Sequence, residues 1–464
     1  MTTIAFAALD YRADRSFAVA QYRLEGDADA GWVVERDGAE VLRLGPGYRA
    51  LRVRSCGVCA TDLARHFLPF PLPQVIGHEV IALDERGRRH VVEINASHLA
   101  RGVADDCPFC REGLATHCPE RLTLGIHGLP GGFGPWILAP VAACLPVPDE
   151  VPDDVAVLVE PLAAALHAAT MVAPRPGERV AVLGPRRLGM LVLACLAALR
   201  RRVGADAWFS IVGVMRDESR RELAERLGAD DVELLDDNAE DGLEQAFDVV
   251  IDTTGNPTAL AHALRLARRE VHLKSTHGQV SAGVAHLTEL VVDELRVERF
   301  APERVPAGAR VAWLAAPPPG ADFAASRDVQ VAAAAELAQH YWPLHEGLPR
   351  ADVAVVGSAA QLAEAIRPIA GDERSLVRPR GRILVHPDAN CSGSGLVETI
   401  VRRDVVLSSS RCGDFVRALE LLRDDPALRD IAALITHRFP AAELPRAFDT
   451  ARGHDCIKAI VEQP

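Results

Sequence analysis

The sequence predicts an α/β protein in which a mostly β first domain is followed by a doubly wound parallel sheet with an extra α/β insertion. Three observations lead there. Residues 1 to about 150 read as short strands separated by Gly and Pro. From Arg179 onward, short apolar strands alternate with helices, the pattern of a parallel sheet covered on both faces. Residues 305–375 then add strands and helices beyond what one such sheet needs. At 464 residues the chain is too long for one ordinary domain.

In the first part, residues 32–36, 40–44 and 49–54 read as strands. In the second, a strand at 179–183 runs through a Gly-containing turn into a helix at 188–199. Strands at 208–213, 248–252 and 270–274 interleave with helices at 218–227 and 257–267. The insertion reads as a strand at 310–315, a Pro-Pro-Pro-Gly break, a helix at 329–341, a strand at 352–356 and a helix at 359–369. The tail, 415–464, reads as a helix and a strand pair. These elements predict a first domain of 1–160 completed by 430–464, a nucleotide domain of 161–304 completed by 376–429, and an insertion of 305–375. Part of the sequence repeats itself. The run from Arg380 to Val406 echoes the run from Arg268 to Val297, and 352–358 echoes 248–254. This reads as a partial duplication of the second half of the nucleotide domain, against chance likeness between two strand–helix–strand units.

A net charge of −13 argues against a phosphate-backbone partner, which needs clustered positive charge. Arg200, Arg201 and Arg202 read as a solvated helix end. The first residues lack a charged start followed by an apolar stretch, so no secretory signal is read. No apolar run reaches about 18 residues, so no membrane span is expected. The expectation is a cytoplasmic protein whose ten cysteines are thiols or metal ligands.

Three separated segments offer ligand types suited to zinc: Cys56-Gly57-Val58-Cys59-Ala60-Thr61-Asp62, Gly77-His78-Glu79, and Glu160-Pro161-Leu162. Thiolate, imidazole and carboxylate all bind zinc, and a catalytic site keeps one position open. Alone, Gly-His-Glu is usually a turn and either cysteine a small buried hydrophobe. Their order resembles the zinc-dependent medium-chain dehydrogenase/reductase family, closest to its sorbitol, threonine and glucose dehydrogenase branch. The resemblance covers about 30–300 and 378 to the end. It implies a GroES-like catalytic domain and a Rossmann domain, with Cys59, His78 and Glu160 as catalytic zinc ligands. Glu79 would be a further carboxylate that enters the shell or holds a bound water. Thr61 would pass the alcohol proton outward, and Asp62 would orient a ligand. Cys56 reads as a packed thiol. The family's proton-relay His falls near Ala64, with His66 two residues on, so the relay route stays open.

Cys107-Pro108-Phe109-Cys110, followed by Cys118, resembles the family's structural zinc loop. The first cysteine of that loop is Ala104 here. Asp105, Asp106, His117 or water would complete a four-ligand site, or the metal is lost and the thiols are packed.

A dinucleotide fold needs a tight glycine turn that sets the pyrophosphate on a helix N-terminus. Here the turn is Gly184-Pro185-Arg186-Arg187-Leu188-Gly189, with Arg186 in place of the middle glycine. Its side chain either obstructs the pyrophosphate or binds it. Past the second strand, Arg216 would favour NADP and Asp217 would favour NAD; Arg216 is the preferred reading. Thr253-Thr254-Gly255 resembles the family's turn beside the cofactor. Lys274, Ser275 and Thr276 would line the nicotinamide side. Both also read as plain strand ends.

The reading is an oxidoreductase moving hydride between NAD(P) and a zinc-bound polar secondary alcohol, polyol or carbonyl. The alternatives are a redox-neutral zinc lyase, isomerase or cyclase, and a non-catalytic binding protein. His340, Tyr341, Trp342 and His345 read as a packed helix end. The expected partner is a small-molecule substrate. The resemblance implies a homodimer or homotetramer, with 401–407 in the region where relatives pair strands between subunits.

Overall fold

Alternation of apolar and polar side chains buries one face of each early strand, and these strands build the first sheets. The computed structural model describes residues 1–103, 106–204, 208–235, 243–275, 278–333, 350–367 and 375–464. The chain forms two units, Met1–Ala163 with Cys412–Pro464, and Ala164–Arg411.

The first unit opens with a four-stranded antiparallel meander of β1 (Thr2–Tyr11), β2 (Phe17–Asp27), β3 (Gly31–Arg36) and β4 (Ala39–Leu44). A larger sheet joins β5 (Tyr48–Gly57), β6 (Glu79–Leu83) and β7 (Arg89–Val92). A small sheet holds β8 (Asn95–Ala96), β9 (Leu122–Leu124) and β10 (Gly128–Leu129). The larger sheet is extended by β11 (Trp136–Pro140), which pairs with β5, and by β12 (Cys144–Pro146), which pairs with β7.

The second unit has one sheet of eleven strands. Its strands are β13 (Arg179–Leu183), β14 (Ser210–Met215), β15 (Asp231–Leu234), β16 (Phe247–Asp252) and β17 (Ala267–Leu273). They continue with β18 (Arg296–Arg299), β19 (Arg310–Trp313), β20 (Gln330–Ala333), β21 (Ala351–Ser358), β22 (Val377–Asn390) and β23 (Val406–Ser409). Across the sheet the order is β15-β14-β13-β16-β17-β23-β18-β22-β21-β19-β20. The chain then returns to the first unit. There β24 (Ile435–Pro440) pairs with β25 (Lys458–Glu462), and β25 lies antiparallel against β5.

Three expectations change. Residues 330–333, read as the start of a helix, are a strand, because they pair in parallel with β19 from Arg310 opposite Gln330. Residues 334–349 lie outside the described residues, and with them His340, Tyr341, Trp342 and His345. The return to the first unit falls at 411/412 rather than 429/430. The turn Pro426–Leu434, which follows the helix Phe415–Asp424, packs on the first unit's helix Asp153–Ala156. The insertion is also wider than 305–375: it includes β18 and β22, so that 296–390 builds the far half of the sheet.

One apolar core runs along a face of the whole second sheet, from Ala181 and Val250 through Val271, Leu407 and Val297 to Ile383 and Ala354. Leu407 sits at its centre, fully buried. Leu407→Ala is expected to cost about 2–5 kcal/mol, the usual range for emptying such a site. Denaturant unfolding followed by intrinsic fluorescence checks it.

Candidate catalytic and nucleotide sites

In the first unit, the edge of β5 and the start of β6 bring two of the zinc-type segments together. Cys59 precedes a one-turn helix, Ala60–Leu63, and its backbone N–H donates to Asp62 Oδ2 at 2.8 Å. The other oxygen of Asp62 lies 3.3 Å from His78 Nδ1. His78 also touches the Cys59 thiol, and that thiol reaches the Thr61 hydroxyl at 3.8 Å. Cys59, Thr61, Asp62 and His78 are therefore one cluster, with Asp62 holding the Cys59 backbone and the His78 ring. Burial opposes a charge on His78, but the Asp62 carboxylate overrides it and raises the imidazole pKa well above its usual value. Cys56 is fully buried, and burial, then Asp62 and Glu79, push its thiol well up. It is a packed, protonated thiol.

Glu79 is held differently. Its carboxylate forms a buried ion pair with Lys458, whose Nζ also donates to the Val58 carbonyl at 3.2 Å. Gly57 makes room for this pair, because a Cβ there would lie 2.1 Å from Glu79 Oε2. Glu160 is half-buried in the first turn of the helix Val159–Val172. Neither Glu79 nor Glu160 comes within 4.8 Å of both Cys59 and His78 ligand atoms. His66 packs on Phe67 with centroids 3.8 Å apart, and no hydrogen bond joins it to Thr61.

The donor chemistry here fits zinc. Asp62 Oδ1, His78 Nδ1 and Glu79 Oε2 are buried polar atoms outside ordinary hydrogen bonds, and Cys59 is only half-buried. Asp62 Oδ1 and His78 Nδ1 meet each other and Glu79 Oε2 meets Lys458, so the fit rests on the donor types, a thiol and an imidazole side by side with a carboxylate next to them.

A second cluster is tighter. His98, Cys107, Cys110 and Cys118 are all buried, with ligand atoms within 4.8 Å of one another, the only such group among the described residues. His98 Nδ1 lies 3.1 Å from Cys118 Sγ. The group that joins the three thiols is thus His98 rather than Asp106 or His117, and Asp105 lies outside the described residues. His98 lies six residues before Ala104, and the turn after β8 folds it back onto the loop. No spacing rule points to it, although an isolated His just ahead of a three-cysteine loop is a usable signal.

In the second unit, Gly184 turns with φ +67°, and a Cβ there would lie 2.4 Å from Thr254 Cγ2. A Cβ on Gly189 would lie 2.5 Å from Thr253 Oγ1. Thr253 Oγ1 donates to the Leu183 carbonyl at 3.0 Å, and Thr254 Oγ1 donates to Asp252 at 2.7 Å. The turn thus closes directly on Thr253 and Thr254. Arg186 is the N-cap of the helix Arg187–Val203, its Nε buried, with Leu188 half-buried in the first turn. After β14, Arg216 is exposed. The Asp217 carboxylate accepts from the Ser219 N–H and lies 3.2 Å from Arg220. Asp217 therefore caps the next turn, which leaves Arg216 as the outward-facing charge.

Lys274 is buried, and its Nζ donates to the carbonyl and hydroxyl of Ser410, both at 3.1 Å. Beside it, His272 lies 2.8 Å from each of Ser408 Oγ and Ser410 Oγ, and Ser408 donates to Glu270 at 2.5 Å. Burial, then Lys274, lowers the His272 pKa well below its usual value, so the ring is neutral. Sequence reasoning reached Lys274 but missed His272, which in a strand of this kind reads as any buried position. Thr276 lies outside the described residues.

Residues 45–149 match the alcohol dehydrogenase GroES-like domain. The chain is 29% identical over 233 residues to L-galactonate-5-dehydrogenase of Escherichia coli strain K12, covering 47% of this chain and 65% of that protein. It is 28% identical over 251 residues to L-threonine 3-dehydrogenase of Deinococcus deserti, covering 50% and 68%. The matches thus span about two thirds of the length of these curated relatives. The structure of L-idonate 5-dehydrogenase from E. coli K-12 shares the fold, with a TM-score of 0.58 at 14% identity, covering 99% of each chain. Residues 45–149 are thus a GroES-like domain of the alcohol dehydrogenase type, and the chain shares the fold of the solved dehydrogenase structure. Among the described residues, no helix is long and apolar enough to cross a membrane.

Removing one member of a buried ion pair strands the other charge. Lys458→Met is expected to destabilise the protein by about 3–5 kcal/mol for that reason. The double variant with Glu79→Gln should recover much of the loss. Thermal unfolding of both variants checks the order.

Proposed function

We propose that this protein is a zinc-dependent oxidoreductase that moves a hydride between NAD(P) and a polar secondary alcohol or its carbonyl. The observation that carries the reading is the Cys59–Asp62–His78 cluster with Thr61 at its edge. The phosphate-type turn at Gly184 and Gly189 in the other unit supplies the cofactor half. Cys59, His78 and Glu160 would hold the catalytic zinc. Bound there, zinc would polarise an alcohol or carbonyl oxygen and lower the alcohol pKa. Asp62 fixes the His78 ring and anchors the Cys59 backbone. Glu79 is neutralised by Lys458 next to the cluster. The Thr61 hydroxyl stands ready to accept the alcohol proton and pass it outward. In the other unit, the Gly184 turn and the helix N-terminus at Arg187 would take the pyrophosphate, and exposed Arg216 would meet a ribose phosphate, which favours NADP. The printed names of the curated relatives, dehydrogenases of galactonate and threonine, support a polyhydroxylated or otherwise polar substrate.

His98, Cys107, Cys110 and Cys118 would hold a second, structural zinc with all four positions filled. Zinc analysis of the purified chain should give two ions. His98→Ala should lose one and unfold at lower temperature while keeping the other. One ion in both proteins sinks the structural site.

Fluorescence titration with NADPH and NADH tests the cofactor. Saturable binding with NADPH tighter is the expected result, and Arg216→Ser should cut that preference by about tenfold, the worth of roughly 1.4 kcal/mol. Zinc without binding of either nucleotide would overturn the oxidoreductase reading in favour of redox-neutral zinc chemistry.

A further inference from the structure

Apart from β15 at one edge, the eleven-stranded sheet is symmetric about the β23–β18 junction. Reading outward from it, one side gives β23, β17, β16, β13 and β14, with β15 beyond, and the other gives β18, β22, β21, β19 and β20. Each side is parallel throughout. The junction is antiparallel, with Val297 opposite Leu407. A local two-fold axis therefore passes through that residue pair.

The registers agree residue by residue. Val180 faces Val249 on one side, and Val311 faces Val353 on the other. Val249 then faces Glu270, and Val353 faces Arg382. Glu270 faces Val406, and Arg382 faces Arg296. Continuing one residue makes Val297 and Leu407 counterparts, and they are the two that pair. Side-chain details repeat as well. The N–H of Arg179 donates to Asp248 Oδ2 at 2.8 Å, and that of Arg310 donates to Asp352 Oδ2 at 2.9 Å. The sequence carries the same signal, because Gly177-Glu-Arg-Val-Ala-Val-Leu183 and Gly308-Ala-Arg-Val-Ala-Trp-Leu314 agree at five of seven positions.

The two halves also exchange a strand. In the first, β17 leads through the helix Leu287–Val292 to β18, which lies in the second half. In the second, β22 leads through the helix Gly395–Arg403 to β23, which lies in the first half. Neither half is complete without the other.

Among its described residues the second half has no phosphate turn. Where the first has Gly184 at positive φ, the second has Ala315, which is not in that region. Pro317, Pro318 and Pro319 then supply no N–H donors. The Gln361 side chain bridges the Gly357 N–H and the Leu314 carbonyl at 2.7 and 2.8 Å, closing the strand ends. Trp313 donates to the Pro317 carbonyl and packs on Phe300 and Phe323.

We infer that residues 296–390 act as a built-in second subunit: they cover the β23 edge from within the chain, leaving a monomer whose only phosphate turn among the described residues is Gly184's. An open strand edge invites pairing with another chain, and β18 occupies this one. A second copy has no edge to meet at the centre of the sheet.

Sedimentation equilibrium of the full chain over a wide concentration range tests this, with NADPH stoichiometry measured on the same sample. The expected result is a single species of 49.9 kDa with one NADPH per chain. A species of twice that mass overturns the built-in partner, and two NADPH per chain overturn the single turn. The nucleotide arm rests on the cofactor reading above, and the mass arm does not. A 49.9 kDa monomer that binds no nucleotide upholds the built-in partner and overturns the cofactor reading alone.

Discussion

The buried pair of Glu79 and Lys458 is the constraint that ties this fold together. A carboxylate at that depth is costly without a cation, and the cation comes from β25, within the last residues of the chain. The first unit is therefore unfinished until the second has been made. The same logic repeats inside the second unit, where β23 finishes a sheet opened at β13 after the inserted half has been threaded between them. The chain is a set of nested insertions, each closed by a returning strand.

That nesting explains what was legible in the sequence. Local chemistry was. The Cys59–Thr61–Asp62 run, Gly77-His78-Glu79, the three cysteines of the 107–118 loop and the Gly184 turn each lie within a few residues, so they could be noticed singly, and their order, which resembles the family's, supplied the roles expected of them. Contacts made by returning segments were not. Lys458 lies 379 residues from Glu79, and nothing near it marks it as a partner. His98 joins the cysteines only because the turn after β8 folds back. The doubling was partly visible. The echo read from the sequence set Val297 against Val406, whereas the sheet sets it against Leu407. Glu294 and Asp404, both at φ +53°, mark the true offset. The 330–333 segment misled because its alanine-rich continuation carries helix propensity, while the pairing with β19 decides the conformation.

The duplicated sheet supplies its own internal comparison. Apart from β15, both halves have matching strands in matching register, so a difference between counterparts is not demanded by the architecture. His272 corresponds to Leu384, which is fully buried in an apolar cluster. Lys274 corresponds to His386, which packs on Phe300 and Trp313. Asp252, which holds Thr254 at the turn, corresponds to Val356. At these three positions the second half is thus apolar or aromatic where the first is polar, whereas Glu270 and Ser408 correspond to Arg382 and Glu298, which form an ion pair of their own. Burying such groups gains less than burying leucine and valine, even when every hydrogen bond is made. The second half shows that the sheet holds without polar groups at the positions of Asp252 and His272. They lie on the side that also keeps Gly184 and Gly189, where the proposed cofactor site would use them.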